Sequence, residues 1–174
     1  RATLNNYGDI IRKDVKLHST VFVRRSNEVI PEILRVAEHN ENSIDILKPT
    51  HCPCCGYSLV EIGANLFCPN KDGCSEQIID KITHFCTRNA MNIEGLNEKT
   101  IETLLVTNKI KDLADLYKLE YSDLENLEGF KDKKITNLLN SIENSKNPNF
   151  ANFVYSLGIN GVGEKTAKDL AKRF

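Results

Sequence analysis

The spacing of apolar residues separates a β-type segment near the start of the chain from a helical segment that follows. Residues 20–25 and 29–36 are rich in β-branched and apolar side chains, which predicts two strands, with Pro31 at an edge or a bulge. Residues 26–28 predict the turn between them, and residues 8–15 predict one or two turns of helix. Two strands and a short helix cannot bury a stable core, so this segment is predicted to be part of a β domain.

From about residue 79 onward, apolar residues recur at the spacing of amphipathic helices, and each helix ends at an Asn, Gly or Pro signal. The clearest patterns are Ile101, Leu104 and Leu105, and then Ile135, Leu138, Leu139 and Ile142. Short segments that contain glycine separate the helices, and Gly95, Gly129 and Gly161 recur about 33 residues apart. Tetratricopeptide and ankyrin arrays have a similar period, but neither the tetratricopeptide aromatic pattern nor a Thr-Pro-Leu-His motif is present.

These segments predict hairpins that bind phosphate. A hairpin before a helix directs backbone N–H groups outward, and the helix dipole favours an anion there. Gly161 and Gly163 make the third hairpin the best candidate, and Lys165 could add a charged contact. Asn97 replaces the second glycine in the first hairpin and tolerates positive φ, whereas Lys131 fits that conformation less well and favours a structural role for the second hairpin. A tight turn between helices without a ligand is the alternative.

Five of the six cysteines lie between residues 52 and 74, and four of them predict one structural zinc ion. Cys52 and Cys55 form a C-x2-C turn, and Cys68 and Cys74 complete the set with five residues between them. Two short strands, 57–62 and 65–67, are predicted between the pairs. Cys54 is left out because adjacent cysteines cannot both complete one normal turn. Reduced thiols without metal, or disulfides, are the alternatives.

Cys86 lies on a predicted helix and is expected to be a small buried hydrophobe.

The chain has 174 residues and a net charge of -1, which by itself does not indicate a partner with many negative charges. The sequence contains no apolar run long enough to span a bilayer and no secretory leader, so we expect a cytoplasmic protein without membrane contact. The first residue is not Met, which suggests a chain cut from a longer one.

Taken in order, these motifs resemble bacterial NAD-dependent DNA ligases over nearly the whole chain. The resemblance is carried by residues 1–6, 23–25, 29–31 and 51–56, followed by the glycine hairpins. It implies an α+β multidomain fragment: the C-terminal part of an OB-fold domain in residues 1–48, a four-cysteine zinc finger in 49–78, and an all-α helix-hairpin-helix domain in 79–174 with three of an expected four hairpins. Asn5 replaces the family's usual His, and Cys54 stands where the family has a non-ligand residue.

The resemblance implies that Arg25, Val29 and Ile30 face the DNA minor groove. Together with the hairpins, the expected DNA-binding residues are Arg25, Val29, Ile30, Gly95, Asn97, Gly129, Lys131, Gly161, Gly163 and Lys165. The family's nucleotidyl lysine lies in a Lys-x-Asp-Gly motif, which this sequence lacks, since residues 71–73 miss the intervening position. We therefore expect no catalytic and no NAD-binding residue in this chain, and we expect the adenylation, NAD-binding and BRCT domains outside it.

The implied function is to hold nicked double-stranded DNA for a ligase whose NAD and magnesium act elsewhere in the parent protein. The zinc site is then expected to join the OB part to the hairpin domain so that both face one duplex. A zinc-containing accessory protein of repair or recombination is the first alternative, and a purely structural interaction domain is the second. An incomplete OB domain also predicts either partial disorder of residues 1–48 or pairing with a second copy.

Overall fold

The computed structural model describes residues 2–26 and 30–174, with the side chain of Ser26 left out. The described residues form two compact units, Arg1–Asn70 and Lys71–Phe174. The architecture is mixed α/β, with seven α-helices, one short 3-10 helix and three two-stranded sheets in the described ranges. No helix in the part of the chain that the structure describes is long and apolar enough to cross a membrane.

The first unit contains a short helix and three antiparallel strand pairs. Its elements are α1 (Tyr7–Arg12), β1 (Lys16–Leu17), β2 (Thr20–Ser26), β3 (Ile30–Glu38), β4 (Ile44–Asp45), β5 (Val60–Ile62) and β6 (Asn65–Phe67). The two predicted strands are confirmed as β2 and β3, which pair with each other, while β1 pairs with β4. Register shifts lie between Thr20 and Val21 and between Phe22 and Val23, away from Pro31. The turn predicted at 26–28 falls largely outside the described residues.

A buried carboxylate holds α1 against β3. The N-cap residue Asn6 accepts a hydrogen bond from the backbone N–H of Asp9 through its side chain, at 2.9 Å. Asp9 is 3% exposed and forms ion pairs with Arg12 and, at 2.8 Å, with Lys13. The ammonium of Lys13 also donates a hydrogen bond of 2.6 Å to the backbone carbonyl of Ile33 in β3. One lysine therefore connects the buried acid to the strand.

The hairpin predicted between the cysteine pairs is confirmed, with a first strand shorter than expected. Strands β5 and β6 are antiparallel, and Val60 pairs with Phe67. Gly63 has a φ of 63°, a conformation that glycine adopts without steric cost, and it turns the chain between the two strands.

The second unit is helical. Its α-helices are α2 (Ser75–Cys86), α3 (Glu98–Val106), α4 (Tyr121–Leu124), α5 (Asp132–Asn144), α6 (Phe150–Ser156) and α7 (Glu164–Ala171), with a 3-10 helix at Ala114–Lys118 between α3 and α4. The apolar periodicity of the sequence is confirmed in α3 and α5. In α5, Ile135, Leu138 and Ile142 lie on one face and are all buried.

One hydrophobic core joins the helices around the first two hairpins. Ile82 from α2, Ile101 and Leu104 from α3, and Leu138 from α5 are fully buried in it. Cys86 is also part of this core, which confirms the prediction of a buried small hydrophobe. Helices α6 and α7 pack against each other, and Ala167 is completely buried in α7.

Candidate metal centre and hairpin surface

The four predicted cysteines come together at one point. The sulfur atoms of Cys52, Cys55, Cys68 and Cys74 all lie within 4.8 Å of one another. The Sγ atoms of Cys55 and Cys68 are 3.6 Å apart. Tetrahedral zinc with Zn–S bonds of about 2.3 Å requires sulfur atoms about 3.8 Å apart, so these four residues could hold a metal ion.

Local backbone geometry explains how the first pair of cysteines is presented. Gly56 directly follows Cys55 and has a φ of 70°, a conformation that glycine adopts without steric cost. The N–H of Gly56 donates a 2.9 Å hydrogen bond to the carbonyl of Cys52, and the N–H of Cys52 donates a 2.8 Å bond to the carbonyl of Tyr57. This turn places the thiols of Cys52 and Cys55 on one side.

The thiol groups differ in how easily they lose a proton. A backbone hydrogen bond at Tyr57 is the main influence that lowers the pKa of Cys55, to about 7. Burial is the main influence that raises the pKa of Cys68. A thiolate is the form that binds metal, so Cys55 is the better prepared of the two. Burial raises the pKa of Cys86 to about 12, which fits its place in the core.

Cys54 does not belong to the four-sulfur group. Its side chain is exposed, whereas Cys52 and Cys74 are buried and Cys55 and Cys68 are half-buried. The adjacent residues Cys54 and Cys55 therefore have different environments.

The three glycine hairpins share one backbone geometry. Gly95, Gly129 and Gly161 have φ values of 97°, 78° and 80°. Two residues after each glycine, a helix begins with an N-cap in extended conformation. Those N-cap residues are Asn97, Lys131 and Gly163, with φ values of -117°, -118° and -84°.

This geometry corrects one sequence expectation. Positive φ was expected at the second glycine position, where Asn97 and Lys131 replace glycine in the first two hairpins. The structure has positive φ at the first position and extended backbone at the second, and any residue adopts an extended backbone. The conformational argument against Lys131 was therefore wrong.

The helix starts differ in how their N–H groups are satisfied. The side chain of Asn97 accepts a 2.9 Å hydrogen bond from the N–H of Thr100 and caps α3. Lys131 and Gly163 provide no side-chain cap to α5 and α7. In α5 the N–H of Lys134 instead donates a 2.8 Å hydrogen bond to the carbonyl of Lys131, whereas the N–H groups of Lys165 and Thr166 in α7 have no hydrogen-bond partner among the described residues. The start of α7 is therefore the more open of the two to an anion.

Two lysines that the sequence analysis missed lie beside the second hairpin. Lys133 and Lys134 follow Lys131 in the first turns of α5, and the ammonium of Lys134 lies 3.8 Å from the centre of the Phe130 ring. The basic run at residues 131–134 was the available signal. In α7, Lys165 is exposed one residue after Glu164.

In the first unit, Arg25 and Ile30 lie at the end of the β2–β3 hairpin. Both are exposed, and Ile30 is 59% exposed. Arg25 pairs in register with Pro31, while its neighbour Arg24 binds Glu32 at 2.6 Å. Val29, the third residue expected at this surface, lies outside the described residues.

Known proteins match both the start and the full length of the chain. The family model of the NAD-dependent DNA ligase OB-fold domain matches residues 1–44. A DNA ligase of Alkaliphilus oremlandii is 53% identical over 175 residues, and DNA ligase 2 of Clostridium acetobutylicum is 54% identical; each comparison covers 100% of this chain and 26% of the relative. A DNA ligase of Finegoldia magna is 49% identical with the same coverage. The chain thus spans about a quarter of the length of these relatives, and its similarity to them over its full length, with the OB-fold match, supports a fragment of a bacterial NAD-dependent DNA ligase.

Proposed function

We propose that this chain is the part of an NAD-dependent DNA ligase that holds nicked duplex DNA. In this proposal the ligase takes AMP from NAD onto a lysine, passes it to the 5′ phosphate and joins that phosphate to the 3′ hydroxyl. The sequence lacks a Lys-x-Asp-Gly motif, so the adenylation step, with its NAD and magnesium, is assigned to other parts of the parent protein. The relatives named DNA ligase favour this interpretation over an accessory repair protein.

The shared geometry of the three hairpins is the observation that carries the proposal. Each glycine with positive φ precedes a helix start by two residues, which is the arrangement expected of helix-hairpin-helix units that bind phosphate. The third hairpin is the strongest phosphate binder, because one first-turn N–H group already has a partner in each of the other two, Asn97 in the first and the carbonyl of Lys131 in the second. Contacts of this kind hold the sugar-phosphate backbone and do not read sequence.

Zinc is proposed as the metal at the cysteine cluster, which would make residues 49–78 a zinc finger. Four thiolates are a typical donor set for structural zinc, and they leave no coordination position for a substrate. Cys52, Cys55, Cys68 and Cys74 would hold the ion and stabilise a loop that has little core of its own.

Arg25 and Ile30 are proposed as a further DNA contact of the OB part, supported by their exposure at one end of the β2–β3 hairpin. The pairing of this part with a second copy and the cytoplasmic location remain predictions.

Binding to a labelled nicked duplex, measured by fluorescence anisotropy at several salt concentrations, tests the proposed function. We expect binding without sequence preference that weakens as salt increases. Absence of binding at low salt would contradict the proposal. Incubation with labelled NAD is expected to leave no AMP on the chain, and transfer of label to the protein would refute the assignment of adenylation elsewhere.

A further inference from the structure

A groove of about 790 Å³ lies between the first two hairpins and one face of α5. Gly95 and Gly129 line its hairpin side, and Lys131 lies at the start of the helix. Along the helix the groove is lined by Lys133, Asn137, Asn140 and Asn144. We propose that this groove seats one sugar-phosphate strand of the duplex, and that the three asparagines are neutral contacts to it. This inference rests on the proposed function and extends it beyond the hairpins.

The helix geometry places the lining residues in a single stripe. Lys133, Asn137, Asn140 and Asn144 follow one another at intervals of four, three and four residues, which keeps them on one face of α5. The apolar residues of the same helix, such as Leu138, are buried in the core, so the stripe is the helix's polar side. From Asn137 to Asn144 the helix rises about 10 Å, or about three base-pair steps of 3.4 Å.

The amides of the stripe are not used within the protein. In residues 2–26 and 30–174, the side chains of Asn137, Asn140 and Asn144 have no hydrogen-bond partner, and all three residues are exposed. An Asn side chain carries two N–H donors, and phosphate and sugar oxygens accept such bonds. Three amide groups in line on an exposed helix face therefore fit a strand of acceptors.

The groove lining is positive on balance, as a phosphate strand requires, because Lys131, Lys133 and Lys134 outnumber its one carboxylate, Glu94. Lys146 and Lys168 are paired with Glu143 and Glu164, whereas neither Lys131 nor Lys133 has a carboxylate partner among the residues that the structure describes. The unpaired lysines lie where the stripe meets the second hairpin, so the groove continues the proposed phosphate surface.

The first hairpin fixes the opposite wall. The N–H of Glu94 donates a 2.8 Å hydrogen bond to Oγ of Ser141, and a Cβ atom added at Gly95 would lie 3.6 Å from Cβ of Leu138. The hairpin backbone therefore sits directly on α5, and the groove is formed before any ligand binds.

The test uses the zinc-loaded 174-residue chain and a nicked duplex of fixed sequence. The variant carries Asn137→Ala, Asn140→Ala and Asn144→Ala. Alanine is a strong helix former, so these changes should not disrupt α5. We expect its affinity to fall on the order of tenfold because three neutral hydrogen bonds are lost. Neutral contacts release no counterions, so the slope of log K against log salt should stay unchanged.

Lys133→Gln gives the contrasting result. Loss of one charged phosphate contact should reduce that slope by about 0.9 in addition to weakening the binding. Thr136→Ala, exposed on α5 but away from the groove lining, is the matched control and should bind like the unchanged chain.

Two results overturn the inference while leaving the proposed function in place. In the first, the triple variant binds the duplex as tightly as the control. In the second, its affinity falls and the slope of log K against log salt becomes shallower as well, which would mean that the amides act through the lysines. If the unchanged chain and the control both fail to bind DNA at low salt, the proposed function itself fails, and this inference fails with it.

Discussion

The backbone N–H of Glu94 donates a hydrogen bond of 2.8 Å to the hydroxyl oxygen of Ser141, 47 residues further along the chain. The same hydroxyl lies 3.4 Å from the carbonyl of Asn92, to which it donates. Through these two contacts, one serine of α5 fixes the segment just before Gly95. The first hairpin is therefore held by a neighbouring helix as well as by its own turn.

Ser141→Ala should loosen the first hairpin. The change removes the acceptor of Glu94 and the donor to Asn92, and a net loss of about 1 kcal/mol in the free energy of unfolding is expected. Urea denaturation followed by circular dichroism measures this loss. Ser122→Ala, at an exposed position in α4, is the control and should change stability by less than about 0.5 kcal/mol. Equal stability of the two variants would show that the hydrogen bond does not contribute.

Replacement of single cysteines tests the ligand set. Cys55→Ser should lower the zinc content, because it removes one of four sulfurs that lie within 4.8 Å of one another. Cys54→Val should leave one zinc per chain, since Cys54 is exposed and outside that group. Atomic absorption on protein purified without added metal makes the comparison. Loss of zinc from the Cys54 variant would show that the ligand set is wrong.

Thiol titration should separate Cys54 from Cys86. In the zinc-loaded chain, an aromatic disulfide reagent at mildly alkaline pH should react rapidly with Cys54, which is exposed. Cys86 should stay unreactive because burial raises the pKa of its thiol to about 12. Cys54→Val should abolish the rapid phase and Cys86→Ala should not; the reverse outcome would contradict the burial of Cys86.

Asp9 should make the first unit sensitive to acid. The hydrogen bond from Lys13 is the largest influence on Asp9 and lowers its pKa, and Arg12 lowers it further against the opposing effect of burial. A carboxyl whose pKa is lower in the folded state stabilises the protein above its unfolded pKa of about 3.9, and this contribution is lost as pH falls through the folded value.

Asp9→Asn should therefore lower the free energy of unfolding at neutral pH. The difference in free energy of unfolding between the variant and the unchanged protein should become smaller near about pH 3, below the unfolded pKa. Urea denaturation at both pH values measures the change, and Glu41→Gln, at an exposed position of the same unit, is the control. A difference that stayed constant across this range would mean that the ion pairs of Asp9 do not stabilise the fold.

The sequence predicts a good part of this fold because several of its signals are local. The β-branched run at 20–25, the apolar spacing of α5 and the cysteine positions each depend on near neighbours, and the structure agrees with them. The position of positive φ within the hairpins was placed wrongly, because Gly161 and Gly163 are equally permissive in sequence. Only the path of the backbone distinguishes them.

The sequence analysis did not predict the groove on α5, and the reason is a different one. Asn137, Asn140 and Asn144 look like an ordinary solvated helix face until the first hairpin is seen to pack beside them. That packing depends on Ser141 and Leu138, which meet residues more than 40 positions away. Contacts of such range have no local signature in the chain.

The most direct test of the account is the affinity of Gly163→Val for a nicked duplex. Gly163 has an ordinary extended backbone, with a φ of -84°, and a Cβ atom added there meets nothing within 4 Å. The valine therefore adds no backbone strain and blocks only the approach of a ligand to the start of α7. We predict a loss in the free energy of unfolding of at most about 1 kcal/mol, because glycine is a better N-cap than valine. We also predict an affinity at least about tenfold weaker, on the scale of lost charge-assisted hydrogen bonds. Undiminished affinity in a fully folded variant would contradict the claim that this hairpin binds DNA phosphates.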